Sequence, residues 1–247
     1  MQEKLTLDVC LSPNMIGNFN LDNTAIIIVD IVRASSTICT ALSYNVDHLI
    51  SVESIEDALA LKNEGYLIGG ERNGDKLEGF DYGNSPLSFM DRKLEGMKLA
   101  LTTTNGTRTI KYAVDAAKNS KNHEILIGAF VNYSRIYNYL LRINKNVLIV
   151  CSGWKENPSI EDTIFAGKLA RNLEMSNRFR FISDSVIHAL LIYQLSGNNL
   201  FDFIMDNSAR FGEKIGQLGT DIRYCLKEDV AKVLPVYRDG KFIDLKE

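Results

Sequence analysis

The chain has 247 residues, enough for one large domain or two small lobes with a sizeable core. Its 28 basic and 31 acidic residues leave a net charge of −3, which gives no electrostatic case for nucleic acid or a membrane surface as partner. No apolar run approaches the roughly 20 residues that span a bilayer, and the start of the chain lacks the layout of a signal peptide, so a cytoplasmic protein is expected.

The first strands are predicted at Leu5 to Cys10 and at Ala25 to Asp30, the second an almost wholly β-branched run that reads as buried. A short helix over Ser35 to Ser43 follows, then a strand at His48 to Val52 and a Ser-capped helix over Ser54 to Glu64. Leu67 to Gly70 is a short strand, and residues 71–86 are polar and glycine-rich with neither helical nor strand period, as in a binding loop. The alternation resumes with strands at Lys98 to Leu101, Glu124 to Ile127 and Val147 to Cys151. These alternate with helices at Asn105 to Ala117, Val131 to Arg142 and Ile160 to Glu174. The stretch from Ser183 to about Cys225 reads as mostly helical, and strands near Val233 to Val236 and Phe242 to Ile243 close the chain.

This repetition predicts an α/β fold, a layered α/β/α arrangement with a mixed, mainly parallel sheet. A two-lobed version would have its seam near residues 85–97. Cys10, Cys39, Cys151 and Cys225 are far apart and form no CxxC, so buried reduced thiols are expected rather than a zinc or disulfide framework. Tyr133, Tyr137 and Tyr139 suit either core packing or an interface in a homo-oligomer.

Three predicted strands end in small polar residues, at Asp30–Thr37, at Thr102–Thr107 and at Ser152–Gly153. If those strands are parallel, the turns share one sheet edge, where α/β proteins bind ligands. Asp30, Glu71 and Asp81 could then surround Mg²⁺, which prefers hard oxygen ligands. Arg33 and Arg72 could grip an anion, with Asp30 the third candidate catalytic residue. Ser35, Ser36, Thr37, Asn84, Ser85, Thr103, Thr104, Asn105, Gly106, Thr107, Ser152 and Gly153 supply hydroxyl, amide and backbone donors for a small anionic phosphoester. The plainer readings are a helix cap for Thr-Asn-Gly-Thr, a surface ion pair for Glu71-Arg72 and a dipole complement for Glu161-Asp162. Asp221, in the helical tail, is the weakest candidate.

Common templates fail. A haloacid-dehalogenase-type phosphatase needs an acid two residues after its nucleophile, where Val32 stands. A cysteine phosphatase needs an arginine six residues after Cys151, where Asn157 stands. No P-loop, nucleophile elbow or dinucleotide fingerprint is present.

Val-Asp-Ile-Val-Arg-Ala-Ser-Ser-Thr (29–37), Gly-Gly-Glu-Arg (69–72), Gly-Phe-Asp-Tyr-Gly-Asn-Ser-Pro (79–86), Thr-Thr-Thr-Asn-Gly-Thr (102–107) and Ser-Ile-Glu-Asp (159–162) follow one another in this order. Together they closely resemble the 2-phosphosulfolactate phosphatase (ComB) family, over about residue 7 to the Pro235 region. The resemblance implies an Mg²⁺-dependent enzyme that converts 2-phosphosulfolactate to sulfolactate, a step towards coenzyme M in methanogens. Asn207 to Gly212 departs from the family pattern, which has a histidine near Arg210. Two rival readings stand beside it: a non-catalytic binding module for small anions on the same scaffold, and a nucleotide-using phosphotransferase.

Overall fold

The computed structural model describes residues 4–211 and 216–246. Met1 to Glu3, Gly212 of the tail motif and the helical expectation for 212–215 lie outside the described residues. In chain order the elements are β1 (Leu5–Cys10), β2 (Thr24–Val29), α1 (Ala34–Ser43), β3 (His48–Ser51), α2 (Ile55–Asn63), β4 (Leu67–Arg72) and β5 (Asp75–Lys76). Then come β6 (Lys98–Thr102), α3 (Gly106–Ala117), β7 (Glu124–Ile127), α4 (Tyr133–Arg142), β8 (Asn146–Cys151), α5 (Ile160–Met175) and β9 (Phe179–Phe181). The chain closes with α6 (Asp184–Ser196), α7 (Leu200–Asn207), α8 (Gly216–Cys225), β10 (Pro235–Arg238) and β11 (Lys241–Asp244).

The strands form one mixed sheet in the order β5-β4-β6-β3-β11-β10-β7-β2-β8-β1-β9, with helices on both sides. β2 lies at the centre of a parallel group, with β7 and β8 as neighbours. All six of its residues are buried, which is why the run carries no polar alternation. β3, β6 and β4 form a second parallel group. The β10–β11 hairpin pairs antiparallel with both groups, through Val236 to Leu126 and Phe242 to Leu49. The two parallel groups therefore run in opposite directions, so the three polar turns do not come from uniformly parallel strands. The carboxyl ends nevertheless meet. A Cβ built on Gly106, just after β6, would lie 2.4 Å from the Ala34 methyl and 2.8 Å from Asp30 Oδ2, just after β2. Only glycine admits that approach.

One apolar core runs through most of the molecule, and a smaller one (Ala58, Ile68, Phe80, Ala100) lies under α2. Residues 86–89 and 92–94 are single 3₁₀ turns that send Phe89 and Leu94 into the main core. Tyr133 and Tyr139 are core residues. The four cysteines are buried and free. No helix among the described residues is long and apolar enough to cross a membrane.

Residues 71–86 are more ordered than the polar composition suggested. Glu71 and Arg72 end β4, and a turn at Asn73 (φ +56) and Gly74 (φ +96) folds the chain back into β5. Asn-Gly is the preferred pair for a two-residue hairpin turn because both positions need positive φ. β9 and the 3₁₀ turn at Pro13–Asn18 also lack a counterpart in the sequence reading.

Candidate active site

Val29 pairs with Cys151 and Gly70 with Thr102, so Asp30 leaves the sheet beside Ser152, and Glu71 beside Thr103. Asp30 opens the turn into α1. Its Oδ1 accepts the Ala34 N–H at 3.2 Å, and its backbone carbonyl accepts the Ser35 N–H at 2.9 Å. The hydroxyl of Ser35 meets the Asp30 N–H, and that of Ser36 donates to the Ile31 carbonyl. A cis peptide joins Val32 and Arg33 in this turn.

Glu71 is held from two sides. Its Oε2 accepts the Gly74 N–H at 2.6 Å and its Oε1 the Thr104 N–H at 2.7 Å. The carboxylate thus ties the β4–β5 turn to the start of α3. Thr103 and Thr107 exchange reciprocal bonds between backbone N–H and side-chain oxygen, a cap that closes the first turn of α3.

A third wall comes from residues 153–157, after β8. Gly153 has φ +63, and a Cβ there would meet the Asn157 carbonyl at 2.1 Å. Asp162 stitches this loop to the first: Oδ1 accepts the Ile31 N–H at 2.8 Å and Oδ2 the Gly153 N–H at 2.9 Å. Beside it Glu161, 1% exposed, accepts the Arg210 guanidinium at 2.9 Å, and its Oε2 has no hydrogen-bond partner among the described residues. Arg210 also donates to the Val32 carbonyl and lies over the rings of Trp154 (4.3 Å) and Phe211 (4.7 Å). Arg33 donates to Asp221 Oδ2 at 2.7 Å and to the Gly74 carbonyl, and Ser85 donates to Asp221 Oδ1.

These walls enclose a cavity of about 330 Å³ lined by, among others, Asp30, Arg33, Glu71, Asn84, Lys155 and Arg210. Its electrostatics are dominated by acids. Burial, then the neighbouring Asp162 charge, pushes the Asp30 carboxyl well above the ordinary range, against the opposing pull of Arg210 and the Ala34 N–H. Burial and Glu161 raise Asp162 likewise, and burial raises Glu161 despite Arg210.

Of the residues singled out in the sequence, Asp30, Arg33, Glu71, Asn84, Thr103 and Asn105 line this cavity. Others stand elsewhere. Asp81 binds Lys62 at 2.8 Å and the Ile68 N–H, so the triad Asp30, Glu71 and Asp81 is not assembled. Among the described residues no three His, Cys, Asp or Glu side chains gather to hold a metal. Arg72 turns to the Glu53 and Glu71 carbonyls and to Thr102, and is not a lining residue. The hydroxyls of Ser35, Ser36 and Thr37 are buried and bonded to backbone groups, as buried hydroxyls must be, so they shape the turn rather than face a ligand. Ser85 serves Asp221, the Thr104 N–H serves Glu71, Thr107 serves the cap, and the Gly153 N–H serves Asp162. Gly106 provides space, and Ser152 is fully buried with its Oγ unpartnered among the described residues. Conversely, Glu161, Asp162 and Asp221 carry more of the site than their helical positions suggested, and Trp154, Lys155 and Arg210 join the lining.

The model of a family described as 2-phosphosulpholactate phosphatase matches residues 10–240. A Clostridium beijerinckii protein named "Probable 2-phosphosulfolactate phosphatase" is 32% identical over 241 residues, covering 96% of this chain and 98% of its own. A Thermotoga maritima protein of the same name is 37% identical over 223 residues, 90% and 92% of the two chains. One from Clostridium novyi is 33% identical over 96% and 99%. The chain belongs to the 2-phosphosulfolactate phosphatase family, a family of phosphoric monoester hydrolases.

Proposed function

We propose that the protein hydrolyses 2-phosphosulfolactate to sulfolactate and phosphate, with Mg²⁺ as its metal. The observation that carries this reading is the presence of two carboxylates, Asp30 and Glu71, in one pocket that also holds Arg33, Lys155, Arg210 and the amides of Asn73, Asn84 and Asn105. Asp30, Glu71, Glu161, Asp162 and Asp221 oppose Arg33, Arg210 and Lys155 around the cavity. A polyanionic ester entering such a site meets repulsion unless a cation accompanies it.

The donor set fits that cation. It is all hard oxygen, and Asn84 Oδ1 is a buried lining oxygen without a partner among the described residues. Mg²⁺ is commonly held by one or two carboxylates plus water and substrate phosphate, so two acids suffice. Asp30, Glu71 and Asn84 would hold it, and bound there it would neutralise charge on the phosphoryl oxygens.

The chain's own groups do the rest. Arg33, fixed by Asp221, and Arg210, fixed by Glu161 and two rings, are cations locked in direction, which suits phosphoryl transfer, where positioning and charge neutralisation dominate. Asp30 lines the cavity, and its Oδ2 accepts no hydrogen bond among the described residues, which leaves that carboxylate oxygen without a protein partner. In the reaction the bond between phosphorus and the ester oxygen breaks, water supplies the new phosphate oxygen, and a proton ends on the sulfolactate hydroxyl.

Phosphate release from 2-phosphosulfolactate, measured with Mg²⁺ and after EDTA, tests this. Turnover that EDTA abolishes and Mg²⁺ restores is the expected result. Tight binding of sulfolactate with no turnover of any phosphorylated hydroxy acid would replace the enzyme by an anion-binding module.

A further inference from the structure

The three basic side chains on the cavity wall differ in their company. Arg33 has Asp221 at 2.7 Å, and Arg210 has Glu161 at 2.9 Å. Lys155 has no acid partner among the described residues. Its ammonium lies 5.8 Å from the centre of the Trp154 ring, and the residue is exposed at the mouth of the cavity. Asp30 and Glu71, by contrast, are buried at the floor.

The mount of this lysine is built residue by residue. The Trp154 N–H donates to the Asn157 carbonyl at 2.8 Å, and the Asn157 N–H returns to the Trp154 carbonyl at 3.0 Å. Asn157 Nδ2 donates to the Lys155 carbonyl at 3.1 Å, and the Lys155 N–H donates to Asn105 Oδ1 at 3.2 Å. Lys155 (φ +50) and Glu156 (φ +67) both occupy the left-handed region, which L side chains hold only when their surroundings impose it. The loop therefore presents one uncompensated ammonium to the mouth of a site whose floor is acidic.

We propose that Lys155 is a specificity-determining residue that receives the substrate's second strongly acidic group, the one farthest from phosphorus. The inference rests on the substrate reading above, in which that group is the sulfonate. With phosphate drawn to the floor by the metal and arginines, the far end of a three-carbon acid points to the mouth. A lysine there adds binding energy that does not change as the phosphorus–oxygen bond breaks, so it acts on KM and not on kcat.

The matched pair 2-phosphosulfolactate and 2-phospholactate, which differ by the sulfonate, tests it. Lys155→Gln is expected to raise KM for 2-phosphosulfolactate about 10–100-fold, the worth of one charge-assisted contact, with kcat changed by less than about two-fold. Both constants for 2-phospholactate stay within about two-fold of wild type, and Lys155→Arg restores most of the loss. An equal KM rise for both esters, or a fall in kcat alone, overturns the assignment. Should the wild type release phosphate from neither ester, the substrate reading fails, and Lys155 is then read by calorimetric binding of sulfolactate against lactate. A wild-type preference for sulfolactate that Lys155→Gln erases supports the role, and no preference overturns it.

Discussion

Asp30 and Glu71 reach one pocket from strand groups that run in opposite directions, and they are held in opposite ways. Glu71 accepts two short backbone bonds, one per oxygen, and its position is dictated by the β4–β5 turn and the start of α3. Asp30 accepts one long bond on Oδ1, and its burial, then the neighbouring Asp162 charge, favours its protonated form. Glu71 is thus an anchored carboxylate that joins two loops, and Asp30 a poorly compensated one whose charge awaits a ligand. Under the proposed function, in which a cation and an anion enter together, the site gains from both kinds: one fixes the frame, the other leaves binding strength unused until the ligand arrives.

The contrast is broken most directly at Asp30. Asp30→Asn keeps shape and burial but removes the charge, and kcat is expected to fall about 10³-fold with the circular dichroism spectrum unchanged. Retention of wild-type activity would remove Asp30 from the mechanism. Asp162→Ala comes next and acts on the frame. It strips the acceptor from the Ile31 and Gly153 N–H groups, at a cost of about 2–5 kcal/mol, read as a lower denaturation midpoint. An unchanged midpoint would show that water or backbone rearrangement replaces the carboxylate.

Glu71→Gln sharpens the comparison. An amide can still accept one N–H, so a stability loss of about 1–2 kcal/mol is expected, with a raised Mg²⁺ requirement in activity titrations. Equal Mg²⁺ dependence in variant and wild type would confine Glu71 to anchoring.

The smallest effect is expected at Asp81, outside the cavity. Burial alone would raise its carboxyl, but the Ile68 N–H and Lys62 outweigh it and hold it below its unfolded value of 3.8. A depressed acid stabilises the fold fully above the unfolded value and loses that stabilisation as pH falls through the folded one. Asp81→Asn should therefore cost no more than about 1 kcal/mol at neutral pH and less still in acid, leaving Mg²⁺-dependent turnover intact. Loss of turnover would bring Asp81 back as a metal ligand.

The sequence made the strand ends legible because an apolar run that stops at an acid has few other readings. β2 with Asp30, β6 with Thr103 and β8 with Ser152 all end as the pattern implied. The β4–β5 hairpin was also written there, in Asn73-Gly74, but the surrounding polarity masked it. What stayed hidden were pairings between distant positions. Glu161 and Asp162 look like ordinary first-turn acids, and only the fold brings Asp162 to the Ile31 N–H, 131 residues away. Asp221 looked peripheral for the same reason, since Arg33 lies 188 residues before it. The hydroxyls of Ser35, Ser36 and Thr37 illustrate the converse. Their type suits an anion, but burial commits Ser35 and Ser36 to carbonyls a few residues back and Thr37 to the Asn84 carbonyl.

The β10–β11 hairpin is the piece that fills the gap between the two strand groups, and it follows every other strand among the described residues. During synthesis β3 and β7 emerge long before it and each wait with one bare edge, an invitation to pair with a neighbouring chain. Closure of the sheet therefore waits for this hairpin, and substitutions around 235–244 that weaken its pairing leave both edges bare.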